Sequence, residues 1–289
     1  MDAAERIEQA LTENLQASRG TACPPCLEAA VQHAVLPGGA RIRPKICLAV
    51  ADACGEDQPQ VTDAAAAAIE LIHCASLVHD DLPCFDDSPL RRGQPSVHHA
   101  YGEQLAVLAG DALIVLAFQA LSRGCGHAPQ RLPELIEIVA RSSGMPSGIV
   151  AGQAWDCESE VTLAEYQQSK TGSLFAAATA AGAAAAGVDS RPWRALGEHI
   201  GAAYQVVDDI LDVAGDAEEL GKPIGQDEAR GRPSSVRELG LEGARRHFDK
   251  VMAGVVEKIP PCPGAARLES RIIKEARSFF PAALAEHAA

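Results

Sequence analysis

Apolar positions along the chain recur at helical spacing almost throughout, with no sustained alternation of the kind that marks a strand. Ile7, Leu11 and Leu15 fall at i, i+4 and i+8 and predict a helix over 3–17. A short helix over 27–35 is stopped by Pro37-Gly38-Gly39, and Arg43-Pro44 opens another through Ala53, Pro44 suiting a first turn. Thr62 is placed to cap a long apolar helix running to about Asp81, with Pro83 and Pro89 breaking the chain after it. Further helical patterns cover 101–123, 133–143, 148–157, 163–187, 193–214, 241–259 and 265–288. No Ser/Gly-rich linker or shift in composition marks a boundary. The long apolar helices need one another to bury their faces, which predicts one all-α domain over 1–289: a bundle of about ten or more helices around a central apolar cavity.

Composition narrows the function. The chain has 289 residues, with 25 Lys and Arg against 39 Asp and Glu, a net charge of −14. Tracking a nucleic-acid backbone needs a dense basic surface, so nucleic-acid binding is not expected. Aromatic residues make up only 4%, too few for a β-rich core or a base-stacking platform. The segment Met1-Asp2-Ala3-Ala4-Glu5-Arg6 lacks the basic and apolar regions of a signal peptide. The longest uncharged run, 171–188, is half Ala and reads as a tightly packed core helix rather than a membrane span. Nine cysteines without regular spacing fit reduced thiols in a cytoplasmic protein. Cys23-Pro24-Pro25-Cys26 has no second pair to complete a zinc site and reads as a proline-stiffened start to the next helix.

The chemistry concentrates in two acidic clusters. Asp80, Asp81, Asp86 and Asp87 lie within eight residues. Asp208 and Asp212 are four apart and share a helix face, with Gln205 one turn earlier. Both clusters terminate or interrupt strongly apolar stretches, where ionised Asp needs a partner. Two like charges 4 Å apart repel by about 4 kcal/mol at an effective dielectric of 20, so facing carboxylates call for cations. Hard oxygen donors select Mg²⁺ or Ca²⁺, and with no EF-hand loop present Mg²⁺ shared with a diphosphate is the better match. Candidate phosphate-holding cations are Arg41, Arg43, Arg91, Arg92, Lys170 and Lys222, each near a glycine. Two acidic metal platforms, flanked by cations and bordering an apolar interior, describe a site for an apolar molecule with a diphosphate head.

With these residues in view, the sequence resembles the trans-isoprenyl diphosphate synthases, and most of all the bacterial geranylgeranyl diphosphate synthases. The motifs run from Gly38-Gly39-Ala40-Arg41-Ile42-Arg43-Pro44 through Glu70-Leu71-Ile72-His73 to His79-Asp80-Asp81-Leu82-Pro83-Cys84-Phe85-Asp86-Asp87 and Arg91-Arg92-Gly93. Gly152-Gln153, Lys170-Thr171-Gly172, Gln205 with Asp208-Asp209-Ile210-Leu211-Asp212, and Leu220-Gly221-Lys222 continue them. The resemblance implies that Asp80, Asp86 and Asp208 bind Mg²⁺, three ions in all, assisted by Asp81 and Asp212. It implies that Arg91, Lys170, Thr171, Gln205, Lys222 and Arg232 hold an allylic diphosphate, while Arg43, His73 and Arg92 hold isopentenyl diphosphate. Asp80, Asp81, Asp86, Arg91, Lys170 and Asp208 are then the catalytic set. His79, His98 and His99 remain unassigned.

The implied reaction is ionisation of an allylic diphosphate in a dry pocket, followed by attack of the isopentenyl alkene on the cation. Product length follows from what closes the pocket below the first cluster. Ala75 and Ser76, five and four residues before Asp80, leave space there, which implies the C20 product; C15 is the alternative. The family's usual Lys is replaced by Ala40 and by Gln226, whereas Arg232 keeps the charge. Those losses leave open a non-catalytic prenyl-diphosphate binder, and a terpene cyclase is a third reading. A homodimer is implied, with the apolar helix over 101–123 as candidate interface.

Overall fold

Proline and glycine set most of the helix limits. The computed structural model describes residues 2–20, 22–158, 165–166, 168–214 and 234–277. Helix α1 (Ala3–Ala17) starts from a capping box in which Asp2 and Glu5 bond each other's backbone amides. Helix α2 (Pro25–Val35) begins at the second proline of the Cys-Pro-Pro-Cys segment, so that segment is a helix start, and all nine cysteines are unpaired. Helix α3 (Ile42–Cys54) ends at Gly55 in the left-handed region. Helix α4 (Pro59–Asp80) begins three residues before the expected cap, at a proline that needs no amide partner. Thr62 is therefore not a cap but a buried residue inside α4, its hydroxyl without a hydrogen-bond partner.

The helix expected over 101–123 is present but starts two residues later, at Glu103. Gly102, at φ 88°, separates α5 (Val97–Tyr101) from α6 (Glu103–Gly124). Helices α7 (Leu132–Ser143) and α8 (Ile149–Ala154) follow, then a π-helical turn over Gln168–Gly172. That turn leads into α9 (Ser173–Ala185), and α10 (Trp193–Ala214) comes next. Helix α11 (Ser235–Glu257) is kinked at Gly240, and α12 (Ala265–Arg277) closes the described part. Among the described residues the strands are a two-residue hairpin, Leu90–Arg91 against Gln94–Pro95. The architecture is all-α.

Every residue of α9 is buried, which agrees with its expected place in the core. Its small Ala side chains let α3, α4, α7 and α10 all pack against it. Both acid-bearing helices, α4 and α10, are thereby referred to one central rod. Among the described residues two helices, α4 and the segment 103–127 containing α6, are by length and composition long and apolar enough to cross a bilayer. Helix α4 is sequestered inside the fold, whereas α6 exposes Val107, Leu108 and Val115.

Candidate active site

Asp80 is the last residue of α4, and the chain folds back immediately after it. The Asp86 amide donates to the Asp80 carbonyl at 2.9 Å, and the Ser88 amide donates to that of Asp81 at 3.2 Å. This compact turn carries Asp86 back beside Asp80 although they are six positions apart. Asp81 points the other way. It is buried, and the Arg91 guanidinium grips both its oxygens, Nε lying 3.1 and 3.2 Å away. Burial pushes the Asp81 carboxyl above the usual range despite Arg91. Asp81 therefore differs from its expected role: its carboxylate anchors Arg91 rather than facing the cleft.

Lys170 stands on the π-helical turn, an irregularity common at functional sites. Its Nζ lies 3.5 Å from Asp80 Oδ1 and 2.8 Å from Asp156 Oδ2. Burial opposes its charge, but Asp80, Tyr166 and Asp156 outweigh that and raise its pKa. Gly152 makes the approach possible, because a Cβ there would sit 2.4 Å from the Lys170 backbone nitrogen. The neighbouring Gln153 donates to the Ser76 carbonyl at 2.9 Å, pinning α8 to the stretch of α4 that carries buried Ala75 and Ser76.

The second cluster lies on the last turns of α10. Asp209 is buried, accepting from Gln205 Nε2 at 2.9 Å and from the Ser235 amide, with its pKa raised by burial. The Gln205 carbonyl accepts from the Thr171 hydroxyl at 2.8 Å, so these two expected diphosphate contacts are bonded to each other. Asp208 is half-buried and Asp212 buried. The charges of Asp80 and Asp208 both raise the pKa of Arg91, and that of Asp208 also reaches Arg43. Arg91 is thus within electrostatic reach of an aspartate from each acidic cluster.

Beside this cleft lie Arg43, His73 and Arg92. Arg43 is buried over the faces of Phe175 and Tyr204, its Cζ 4.5 and 5.8 Å from the ring centroids. Its Nη1 lies 3.3 Å from His73 Nε2. Arg43 Nε and His73 Nδ1 are buried without hydrogen-bond partners, a costly state that a bound anion would relieve. Burial and the charges of Arg43, Arg92, Arg91 and Arg41 hold the His73 pKa well below its ordinary value. Arg92 lies over Gly39, where a Cβ would come within 2.9 Å of its guanidinium carbon. Arg41, Asp87 and Arg92 all have positive φ, and such strain gathers at functional sites.

Arg41 is a correction to the expected phosphate cations. It is buried and spent on Glu70 (2.7 Å), Glu8 (2.7 Å) and the Val35 carbonyl (2.6 Å). Glu70 also meets Arg92 at 3.4 Å, so one buried carboxylate organises two arginines. His79 is likewise structural, its ring lying against Gly110. Lys222, Gln226 and Arg232 lie outside the described residues. Sequence reasoning missed Asp156 as the partner of Lys170, and Phe175 and Tyr204 as the floor under Arg43. In a chain so poor in aromatics, Tyr204 next to Gln205 was the available signal. The described residues thus place Asp80 against Lys170, Asp86 back beside Asp80, and Arg91, Arg43 and Arg92 close by as cations able to hold an anion.

The family model described as polyprenyl synthetase matches residues 24–264. The geranylgeranyl diphosphate synthase of Cereibacter sphaeroides is 51% identical over 281 residues, 97% of this chain and 98% of that protein. The geranylgeranyl diphosphate synthase of Rhodobacter capsulatus is 53% identical over 268 residues, 93% of each chain. Among solved structures, a geranyltransferase from Helicobacter pylori complexed with magnesium and isoprenyl diphosphate superposes with a TM-score of 0.82 at 32% identity, covering 93% of this chain and 94% of that one.

Proposed function

The chain belongs to the polyprenyl synthetase family, and from that premise we propose that it condenses isopentenyl diphosphate with C5 to C15 allylic diphosphates to give geranylgeranyl diphosphate. The observation that carries the reading is Lys170 held against Asp80 and Asp156 beside a second cationic pocket, where Arg43 Nε and His73 Nδ1 are buried without hydrogen-bond partners. One diphosphate fits between the clusters and the other at Arg43, His73 and Arg92. Two relatives named for this activity support it over most of their length.

The donor set suits Mg²⁺, and Asp80, Asp86, Asp208 and Asp212 would hold it, in the family's number of three ions. Mg²⁺ held by these carboxylates would supply the charge neutralisation that makes the allylic diphosphate a better leaving group. Arg91, oriented by Asp81, and Lys170, oriented by Asp156, stabilise the charge that gathers on the departing diphosphate. Thr171 and Gln205 hold the π-turn against α10 and so fix Lys170 in place. Arg43 and Arg92 orient the second diphosphate, so that its alkene meets the allylic carbon in a near-attack geometry. The apolar interior keeps water from the allylic cation. The proton lost at the end leaves with the released diphosphate, so no dedicated base is assigned.

Ala75 and Ser76 are small residues on α4 below Asp80, and they leave length for a C20 chain. A second copy of the chain covers the exposed stripe of Val107, Leu108 and Val115 on α6. The test is incubation of the purified chain alone with isopentenyl diphosphate, Mg²⁺ and each allylic starter, with products sized by mass. A C20 product that disappears in excess EDTA is expected. Absence of turnover with every starter would leave a non-catalytic binder in place of this reading.

A further inference from the structure

We propose that Asp87, His98 and His99 form a separate cation site, suited to a borderline transition ion of the zinc class rather than to Mg²⁺. One ligand atom from each of the three lies within 4.8 Å of the others. His98 supplies the independent sign of a ligand. Its side chain is only 5% exposed, and Nε2 is buried without a hydrogen-bond partner. Nε2 faces Asp87 Oδ1 at 3.7 Å, beyond hydrogen-bond reach. The other ring nitrogen is engaged, Nδ1 lying 3.0 Å from the Ser96 hydroxyl. With the Nδ1 proton donated to Ser96, Nε2 presents its lone pair outward, the state in which a metal-bound imidazole is held by an outer partner.

The neighbouring rings of His98 and His99 meet edge to face, 4.6 Å between centroids, on the short helix α5. A zinc ion bound at about 2 Å needs its donors about 3.3 Å apart. Asp87 and His99 are exposed, and rotation of those two side chains closes the difference. Two imidazoles and one carboxylate leave a fourth position for water. Nitrogen donors set this group apart from the all-oxygen cleft, because imidazole favours zinc-class ions over magnesium. Occupancy ties the residue after Asp86 to α5, and so braces the acidic turn from outside. The site does not rest on the prenyl-transfer reading.

The test titrates the full chain with Zn²⁺ by calorimetry in excess Mg²⁺, which fills oxygen-only sites, and repeats it on His99→Ala and Asp87→Asn. About one zinc per chain is expected, bound at least about tenfold more weakly by either variant. Cobalt gives a second readout: an intense visible band from four-coordinate Co²⁺ in the wild type, lost in His99→Ala. His99 is exposed, so that variant is expected to melt normally and to turn over with Mg²⁺ as before. No zinc bound by the wild type, equal zinc affinity in all three proteins, or only a weak octahedral cobalt spectrum would overturn the proposal.

Discussion

Arg41→Ala probes the buried ion pair that stands behind the candidate site. Arg41 and Glu70 are 4% and 1% exposed, and their side chains meet at 2.7 Å. Removing the guanidinium strands Glu70 in the interior. It keeps contacts with Arg92 at 3.4 Å and the Cys74 thiol at 3.9 Å. The half-exposed Glu8 returns to water at little cost, so the penalty is the stranded Glu70. Breaking a buried pair from one side costs about 3–5 kcal/mol. At roughly 2–4 °C per kcal/mol for a chain of this size class, the melting temperature falls by about 10 °C. A second effect follows from Glu70 serving two arginines. Deprived of Arg41, it draws Arg92 inward, so KM for isopentenyl diphosphate rises while kcat changes little. Denaturant melts and initial-rate kinetics read the two effects separately. The decisive comparison is Arg41→Met with Glu70→Leu, which removes both charges and leaves apolar groups of similar volume. It should recover stability to within about 1–2 kcal/mol of the wild type. A double variant no more stable than Arg41→Ala would refute the stranded-carboxylate argument.

Three further outcomes follow. Ala40→Lys restores the family's cation at an exposed position beside Gly39 and Arg41; a charge-assisted contact of roughly 1.5–3 kcal/mol lowers KM for isopentenyl diphosphate by about 10- to 100-fold, and unchanged KM would mean the pocket has compensated elsewhere. Ala75→Phe fills space below Asp80, so the main product in a mass assay shifts from C20 to C15, and an unchanged profile contradicts the pocket-floor argument. His73 has a depressed folded-state pKa, caused by burial and by four surrounding arginines. Its stability contribution is thus present above the ordinary imidazole pKa of about 6.5 and is lost as pH falls below it, by up to about 1.4 kcal/mol per unit. Melts of the wild type and His73→Gln should therefore converge as pH drops from 7 to 5, and parallel curves would count against the depressed pKa.

The periodicity made most helices legible because they bury a stripe, the fully buried α9 showing instead as an uncharged Ala-rich run, and the acidic clusters stood out because carboxylates beside apolar runs need cations. The residues alone left open which aspartate of each adjacent pair faces the cleft, and it was the family resemblance that put Asp80 and Asp208 first. Neighbouring helical residues point about 100° apart, so Asp80 and Asp81, or Asp208 and Asp209, cannot both do so. The structure resolves the two pairs the same way. The first member lies nearer the cations: Asp80 Oδ1 is 3.5 Å from Lys170 Nζ, and half-buried Asp208 is within electrostatic reach of Arg91 and Arg43. The second member is buried and tied to the scaffold, Asp81 by Arg91 and Asp209 by Gln205 and the Ser235 amide. Ser235 lies 26 residues beyond Asp209, so no local pattern announces that bond. The same limit explains Arg41 and Arg43, two residues apart in one motif. One is consumed by Glu8 and Glu70, and the other keeps a buried Nε unpaired. Spacing puts such residues near a site, but partners supplied from distant helices decide which of them are left with bonding capacity for a ligand. A doubled acidic motif of this kind is therefore half ligand set and half mortise, and substitutions at Asp81 or Asp209 should damage stability and cation placement together.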